Sequence, residues 1–161
     1  MSDRKHHYEI GLIWDGNRGD GTSDYRTYGR NHRIIGKGKP ELQATADVAF
    51  RGEAGKYNPE DLLTAAASSC HMLSYLALCA REHISVVAYE DDATGVMEED
   101  GRGGGKFTQI VLRPTVTIAD AAHRDRAEAL HERAHELCYI ASSINCEIVL
   151  GITIKIADGR T

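Results

Sequence analysis

Four cysteines and one H-E-x-x-H pentapeptide are the residues of this 161-residue chain best suited to chemistry. Cys70 sits in "YNPEDLLTAAASSCHMLSYLALCARE", between Ser69 and His71. As a thiolate it would be a nucleophile and a redox centre. Free cysteine is also among the most buried residue types, so core packing competes for it. The small residues Ala65, Ala66, Ala67, Ser68 and Ser69 precede it and would let a second backbone or a substrate come close. Cys79 lies nine residues on, about 900° around a helix, so it faces the other way and reads as core. Cys138, in "HELCYIASSINCEI", is the natural partner of Cys70 if two helices pack together. A bridge would need their Cα atoms within about 7 Å. Cys146 begins a strand and reads as core filler, with a role as the second thiol left open.

The pentapeptide "HERAH" spans His131 to His135. On a helix it sets two imidazoles on one face with Glu132 beside them, the zinc and general-base arrangement of many metalloproteases. A third ligand is needed, and no histidine follows. Glu136, Cys138, Cys146 and Glu147 are the nearby substitutes. The helix is rich in charge, which favours a solvated face with Glu132 and Arg133 in water, and no metal is expected. Two other patterns fail on their spacing. "DGRGGGKFT" has Phe107 after Lys106, where a phosphate loop has Ser or Thr. "DGNRGDGTSDYR" has Gly19 at a ligand position of a calcium loop and Arg26 in place of its glutamate. His71 points to a different side of its helix from Cys70 and reads as packing ahead of cavity lining.

The elements that must hold these residues follow from pattern. "HHYEIGLIWDG", "YRTYGRNHRIIG" and "ELQATADVAF" read as three strands. A helix then starts at Asn58 as N-cap, with Pro59 at its first position and Glu60 and Asp61 at the positive end of its dipole. From Leu62 to Leu78 it is apolar or small almost throughout, so it should be buried on most sides. "ISVVAYEDDATGVMEE" and "GKFTQIVLRPTVTI" read as strands joined by the hairpin loop "EDGRGGGK". A second, amphipathic helix follows, with Asp120 as cap, and "CEIVLGITIKIA" is a last strand. The order is β-β-β-α-β-β-α-β, one α+β domain over residues 1–161. Net charge is −5 with no basic stripe, so nucleic acid is not an expected partner. No apolar run reads as long enough to span a membrane, and "MSDRKHHYEI" lacks the apolar core of a signal peptide. A cytoplasmic protein with reduced thiols is expected.

The segment "FRGEAGKYNPEDLLTAAASSCHMLSYLAL" resembles the signature of the OsmC/Ohr family, the osmotically inducible and organic hydroperoxide resistance proteins. The Asn-Pro-Glu opening, the Ala-rich turn and a cysteine ten residues after the Glu all match. "HELC" falls where that family has its second cysteine, and the element order is similar across essentially the whole chain. The resemblance implies an OsmC-like fold: an intertwined homodimer whose two central helices per chain are wrapped by sheets. It also implies a cysteine-based peroxidase that reduces organic hydroperoxides in oxidative-stress defence and is recycled by a dithiol, lipoyl-type in the Ohr branch. No cofactor is implied. Cys70 would be the peroxidatic thiol and Cys138 the resolving one. Glu60 would orient a catalytic arginine, with Arg51 preferred and Arg18, in an earlier Gly-rich turn, the alternative. Two departures stand out: Tyr139 follows the second cysteine where the family often has Pro, and Cys146 is extra.

Glu60 and Cys70 are about 15 Å apart along one straight helix and cannot serve one reaction centre from the same chain. The expectation is therefore a site shared between subunits, with Cys70 and Cys138 from one chain and Glu60 and Arg51 from the other. Two other functions stay open beside the peroxidase. One is a non-enzymatic binding protein of the same fold with an unreactive Cys70. The other is a zinc hydrolase using His131, Glu132 and His135.

Overall fold

A computed structural model describes residues 4–157. They form two compact units, one up to Leu62 and one from Leu63 onward. The first unit holds a three-stranded antiparallel sheet, β1 (Gly11–Trp14), β2 (His32–Ile35) and β3 (Leu42–Ala44), in that order. All three strands are shorter than their sequence patterns suggest, for local reasons. Asn17 Oδ1 accepts the N–H groups of Gly19 and Gly21 and curls the chain after β1. The Arg30 guanidinium lies over the rings of Tyr25 and Tyr28, at 4.4 and 3.9 Å, and donates to both of their carbonyls. Residues that read as strand are thereby held as a turn. Asp47 Oδ1 accepts the Ala49 N–H at 2.7 Å and starts a 3-10 turn, Val48–Phe50, which ends β3.

Helix α1 (Pro59–Arg81) begins as the sequence predicts. Asn58 Oδ1 accepts the Asp61 N–H at 2.7 Å, and Asp61 Oδ2 accepts the Asn58 N–H at 3.3 Å, a reciprocal cap. Within the chain only the i, i+4 stripe Ala67, His71, Tyr75 and Cys79 is fully buried, while Ala65, Ser69, Leu73 and Ala77 are exposed. By length and composition α1 is apolar enough to cross a membrane, contrary to the reading that no segment is. Alanine, cysteine and methionine keep it apolar through the serines and His71 that break up the run. The core helix of a soluble protein passes the same test.

The second unit continues with β4 (Val86–Asp91), β5 (Thr94–Glu99), β6 (Gly105–Leu112), β7 (Pro114–Ile118), α2 (Arg124–Leu137), β8 (Glu147–Leu150) and β9 (Thr153–Ile156). The expected order holds, with each of the last three strands broken in two. The two halves of each broken strand go to different sheets, β5-β6-β8 and β4-β7-β9. Each sheet has one antiparallel and one parallel pairing. At the break between β6 and β7, Arg113 donates its backbone N–H to Asp91 Oδ1 at 2.6 Å and its guanidinium to Asp92 O and Thr94 Oγ1. At the break between β8 and β9, Gly151 N–H donates to Leu112 O at 2.8 Å. The loop "EDGRGGGK" is a hairpin tip, tied by Asp100 Oδ1 accepting from Arg102 and Gly104.

Asp120 caps a 3-10 turn, Ala121–His123, and α2 follows directly at Arg124. One apolar cluster gathers Tyr75 and Cys79 of α1, Leu130 and Ala134 of α2, and Val116 and Ile154 of the sheet. A second gathers Ala67 with Ile110 and Leu112.

Candidate functional site

Cys70 and Cys138 meet in the second unit. Cys70 lies in the middle of α1, half-buried. Cys138 is the residue that ends α2, with extended backbone, and is 2 % exposed. Its place follows from the stripe Ala127, Leu130, His131, Ala134, all buried on α2, of which Cys138 is the next turn. The Ala141 N–H donates to Cys138 Sγ at 3.3 Å. The pKa of Cys138 is pushed up to about 11, by burial first and then by the neighbouring Cys70 thiol. Cys138 is thus a protonated thiol at neutral pH, next to a more accessible cysteine. Both are free thiols.

A cavity of about 800 Å³ opens beside Cys70. Ala66, Leu73, Ala77, Leu137 and Ile140 make most of its wall apolar, and Arg81, Glu136 and Tyr139 also line it. The other cysteines stand apart from it. Cys79 is in the core, as expected. Cys146 packs against the Ala67–Ile110–Leu112 cluster and lines a separate small cavity with Lys106 and Phe107.

The remaining expected site residues belong to the first unit. Arg51 follows the 3-10 turn with left-handed backbone, φ 66°. Its guanidinium donates to Arg26 O at 3.4 Å. Glu60 is in the first turn of α1, half-buried. Arg18 lies near Gly29, and its charge helps hold the Glu53 carboxyl below the usual range, after the Lys56 and Asn31 hydrogen bonds to Glu53.

The histidines differ most from expectation. His131 is not on a solvated face: it is fully buried, whereas its neighbours Glu132 and Arg133 are exposed. Its Nδ1 is 2.9 Å from Nε2 of His71, and its ring stacks on Tyr75 with centroids 3.8 Å apart. Burial drives the pKa of His71 down to about 4 and that of His131 to about 3. His71 packs in the core and does not line the cavity. Among the described residues no three His, Cys, Asp or Glu side chains converge as a metal site requires. The pairing was hidden because the partners are far apart in sequence. The apolar stripes Ala67–His71–Tyr75–Cys79 and Ala127–Leu130–His131–Ala134 do mark both as inward-facing.

The family model described as OsmC-like protein matches residues 52–153. The chain is 24% identical over 157 residues to the uncharacterized protein YmaD of Bacillus subtilis (strain 168), covering 94% of this chain and 96% of that one. Among solved structures, an OsmC-like protein of unknown function from Vibrio cholerae O1 superposes with a TM-score of 0.81 at 29% identity, covering 92% of this chain and 99% of the other. An organic hydroperoxide resistance protein from Elizabethkingia anophelis superposes with a TM-score of 0.66 at 19% identity, covering 95% and 99%; this is a likeness of fold.

Proposed function

The chain belongs to the OsmC-like protein family, and from that premise we propose that it is a cytoplasmic, thiol-dependent peroxidase that reduces organic hydroperoxides to alcohols. One observation supports the reading above the others: a buried Cys138 thiol next to Cys70, which lies on the wall of a mostly apolar cavity. The name of the structurally similar Elizabethkingia protein, an organic hydroperoxide resistance protein, points the same way.

The Cys70 thiolate attacks the peroxide oxygen remote from carbon, and the O–O bond breaks. Cys70 becomes a sulfenic acid, and the departing alkoxide takes a proton to leave as alcohol. The Cys138 thiol then condenses with that sulfenic acid, forming the disulfide and releasing water. An external dithiol reduces the disulfide by exchange and leaves as its own disulfide. Keeping Cys138 protonated suits this order, since it holds the second thiol in reserve until Cys70 has been oxidised. The apolar wall favours bulky organic peroxides over hydrogen peroxide.

An arginine beside the reacting oxygens would favour the thiolate and stabilise the alkoxide. We assign Arg51 this role, oriented by Glu60 through a charge-assisted contact, with the pair supplied by the second subunit of a homodimer. The test is consumption of an organic hydroperoxide with a small dithiol by wild type and by Cys70→Ser. Rapid turnover by wild type that falls to background in Cys70→Ser is expected. No consumption by fully reduced wild type overturns the reading in favour of a binding protein. Cys138→Ser should allow one turnover and then accumulate sulfenic acid, while Cys146→Ser should turn over normally.

A further inference from the structure

We propose that the buried His71–His131 hydrogen bond sets the approach of Cys138 to Cys70, making these two histidines positioning residues for the disulfide-forming step. The inference rests on the peroxidase reading and adds to it two residues that take no part in the chemistry above.

The pair is costly. His71 is 1 % exposed and His131 is fully buried. The rings lie 14° from parallel with Nε2 of His71 2.9 Å from Nδ1 of His131. Nδ1 of His71 and Nε2 of His131 are buried with no partner. In the neutral pair either tautomer leaves one N–H and one lone pair unsatisfied. Two apolar side chains of similar shape would avoid that penalty. The groups around the pair do not repay it. Tyr75 stacks on His131. Asp91 of β4 and His135 of α2 act on His71 in opposite directions.

What the pair supplies is direction. Three side-chain pairs link α1 and the residue after it to α2 and the residue that ends it. Glu82, just past α1, pairs with Arg126 near the start of α2. His71 meets His131 further along, and Cys70 meets Cys138 at the end of α2. The first contact is on the surface, where ion pairs hold geometry weakly. The contacts of Tyr75, Leu130 and Ala134 are apolar and carry no directional bond. The His–His bond is directional and is lost beyond about 3.5 Å. Cys70 and His71 are neighbours on α1, and His131 and Cys138 are two turns apart on one stripe of α2. A shift of α2 that breaks the His71–His131 bond therefore also displaces Cys138 from Cys70, and a disulfide demands narrow Cα and Cβ spacing.

The experiment separates the two steps in a single turnover with one equivalent of organic hydroperoxide. It follows oxidation of Cys70 and then disulfide formation, with a dione reagent to trap sulfenic acid. In the apolar variant His71→Leu/His131→Phe, the urea midpoint should equal or exceed that of wild type. Its first step should be unchanged, and its second slower by at least about tenfold. His71→Gln/His131→Asn places amides near the two bonded nitrogens and should restore the second step to within about threefold of wild type. Disulfide formation at the wild-type rate in the apolar variant overturns the proposal. Should the apolar variant not fold, His71→Asn replaces it, its amide being too short to reach His131. Slowing of the second step alone then supports the proposal; equal slowing of both steps, or of neither, overturns it. If wild type itself forms neither sulfenic acid nor disulfide, the peroxidase reading fails and takes this proposal with it.

Discussion

Ser68, two residues before Cys70, donates its hydroxyl to the Asp91 carboxylate at 2.5 Å, and the same carboxylate takes the Arg113 backbone N–H at 2.6 Å. One side chain thus ties the helix that carries the reactive thiol to the point where β6 gives way to β7. Asp91→Ala removes the acceptor from both donors and should cost about 1–3 kcal/mol. A drop in urea midpoint of that size, with the cooperative slope unchanged, is the expected result. Ser68→Ala should cost less, because it leaves the Arg113 bond in place.

Gly52 allows a close crossing of backbone in the first unit. A Cβ there would sit 1.6 Å from Ala46 O and 2.4 Å from Ala46 C, atoms that cannot swing away. Gly52→Ala should destabilise by at least about 2 kcal/mol. Gly11→Ala is the control, since its Cβ would meet Ile35 at an ordinary 3.8 Å. It should be neutral or slightly stabilising, by no more than about 1 kcal/mol. Denaturant melts of the two variants side by side decide this.

Stability should fall as pH drops below the ordinary histidine value. The folded pKa of His71 is lowered from 6.5 to about 4, by burial first and then by the charge of His135, with Asp91 opposing. That of His131 is lowered from 6.5 to about 3, by burial and then by His71. Between those values and 6.5 the unfolded chain binds more protons than the folded one, so unfolding becomes easier as pH falls. The contribution is complete above about 6.5. The carboxylates with lowered pKa, Asp15, Glu53, Glu82 and Asp100, start from 3.8 or 4.5 and act mainly below the upper part of that window. A urea midpoint measured from pH 7.5 to 4.5 should decline in wild type. It should stay nearly flat in His71→Gln/His131→Asn.

The start of α1 was legible because its signals are local: Asn58 caps the helix as the sequence predicts, and the structure adds Asp61 as its reciprocal partner. The strand breaks were not. Arg113 and Gly151 sit inside patterns that look continuous, and the bonds that fix them come from Asp91 and from Leu112, far off in the chain. Cys138 could be named as the partner of Cys70 on the condition that the two helices pack together. The histidine pair lies on the buried stripes of α1 and α2 but joins residues 60 positions apart, which no local pattern encodes.

A subunit-mixing experiment tests the proposed sharing of the site. Cys70→Ser and Arg51→Gln homodimers should each be inactive. In a symmetric dimer, each mixed pair would hold one site with both residues intact and one with neither. Equal mixing after unfolding and refolding should then recover about one quarter of wild-type activity. If Arg51 serves Cys70 of its own chain, no mixed dimer contains an intact site, and no activity returns.

The broken strands also bear on how the second unit acquires its structure. β6 and β7 share one segment, as do β8 and β9, and each pair contributes to both sheets. Neither sheet gains its parallel strand until the chain has passed through α2, so both wait on the same long loop closure. Once that closure occurs, both sheets complete together, and neither has a separate route to its final pairing. Amide protons of β6 and β7 should therefore exchange through a single shared opening, with Arg113 and Gly151 as the joints that make two sheets one kinetic unit.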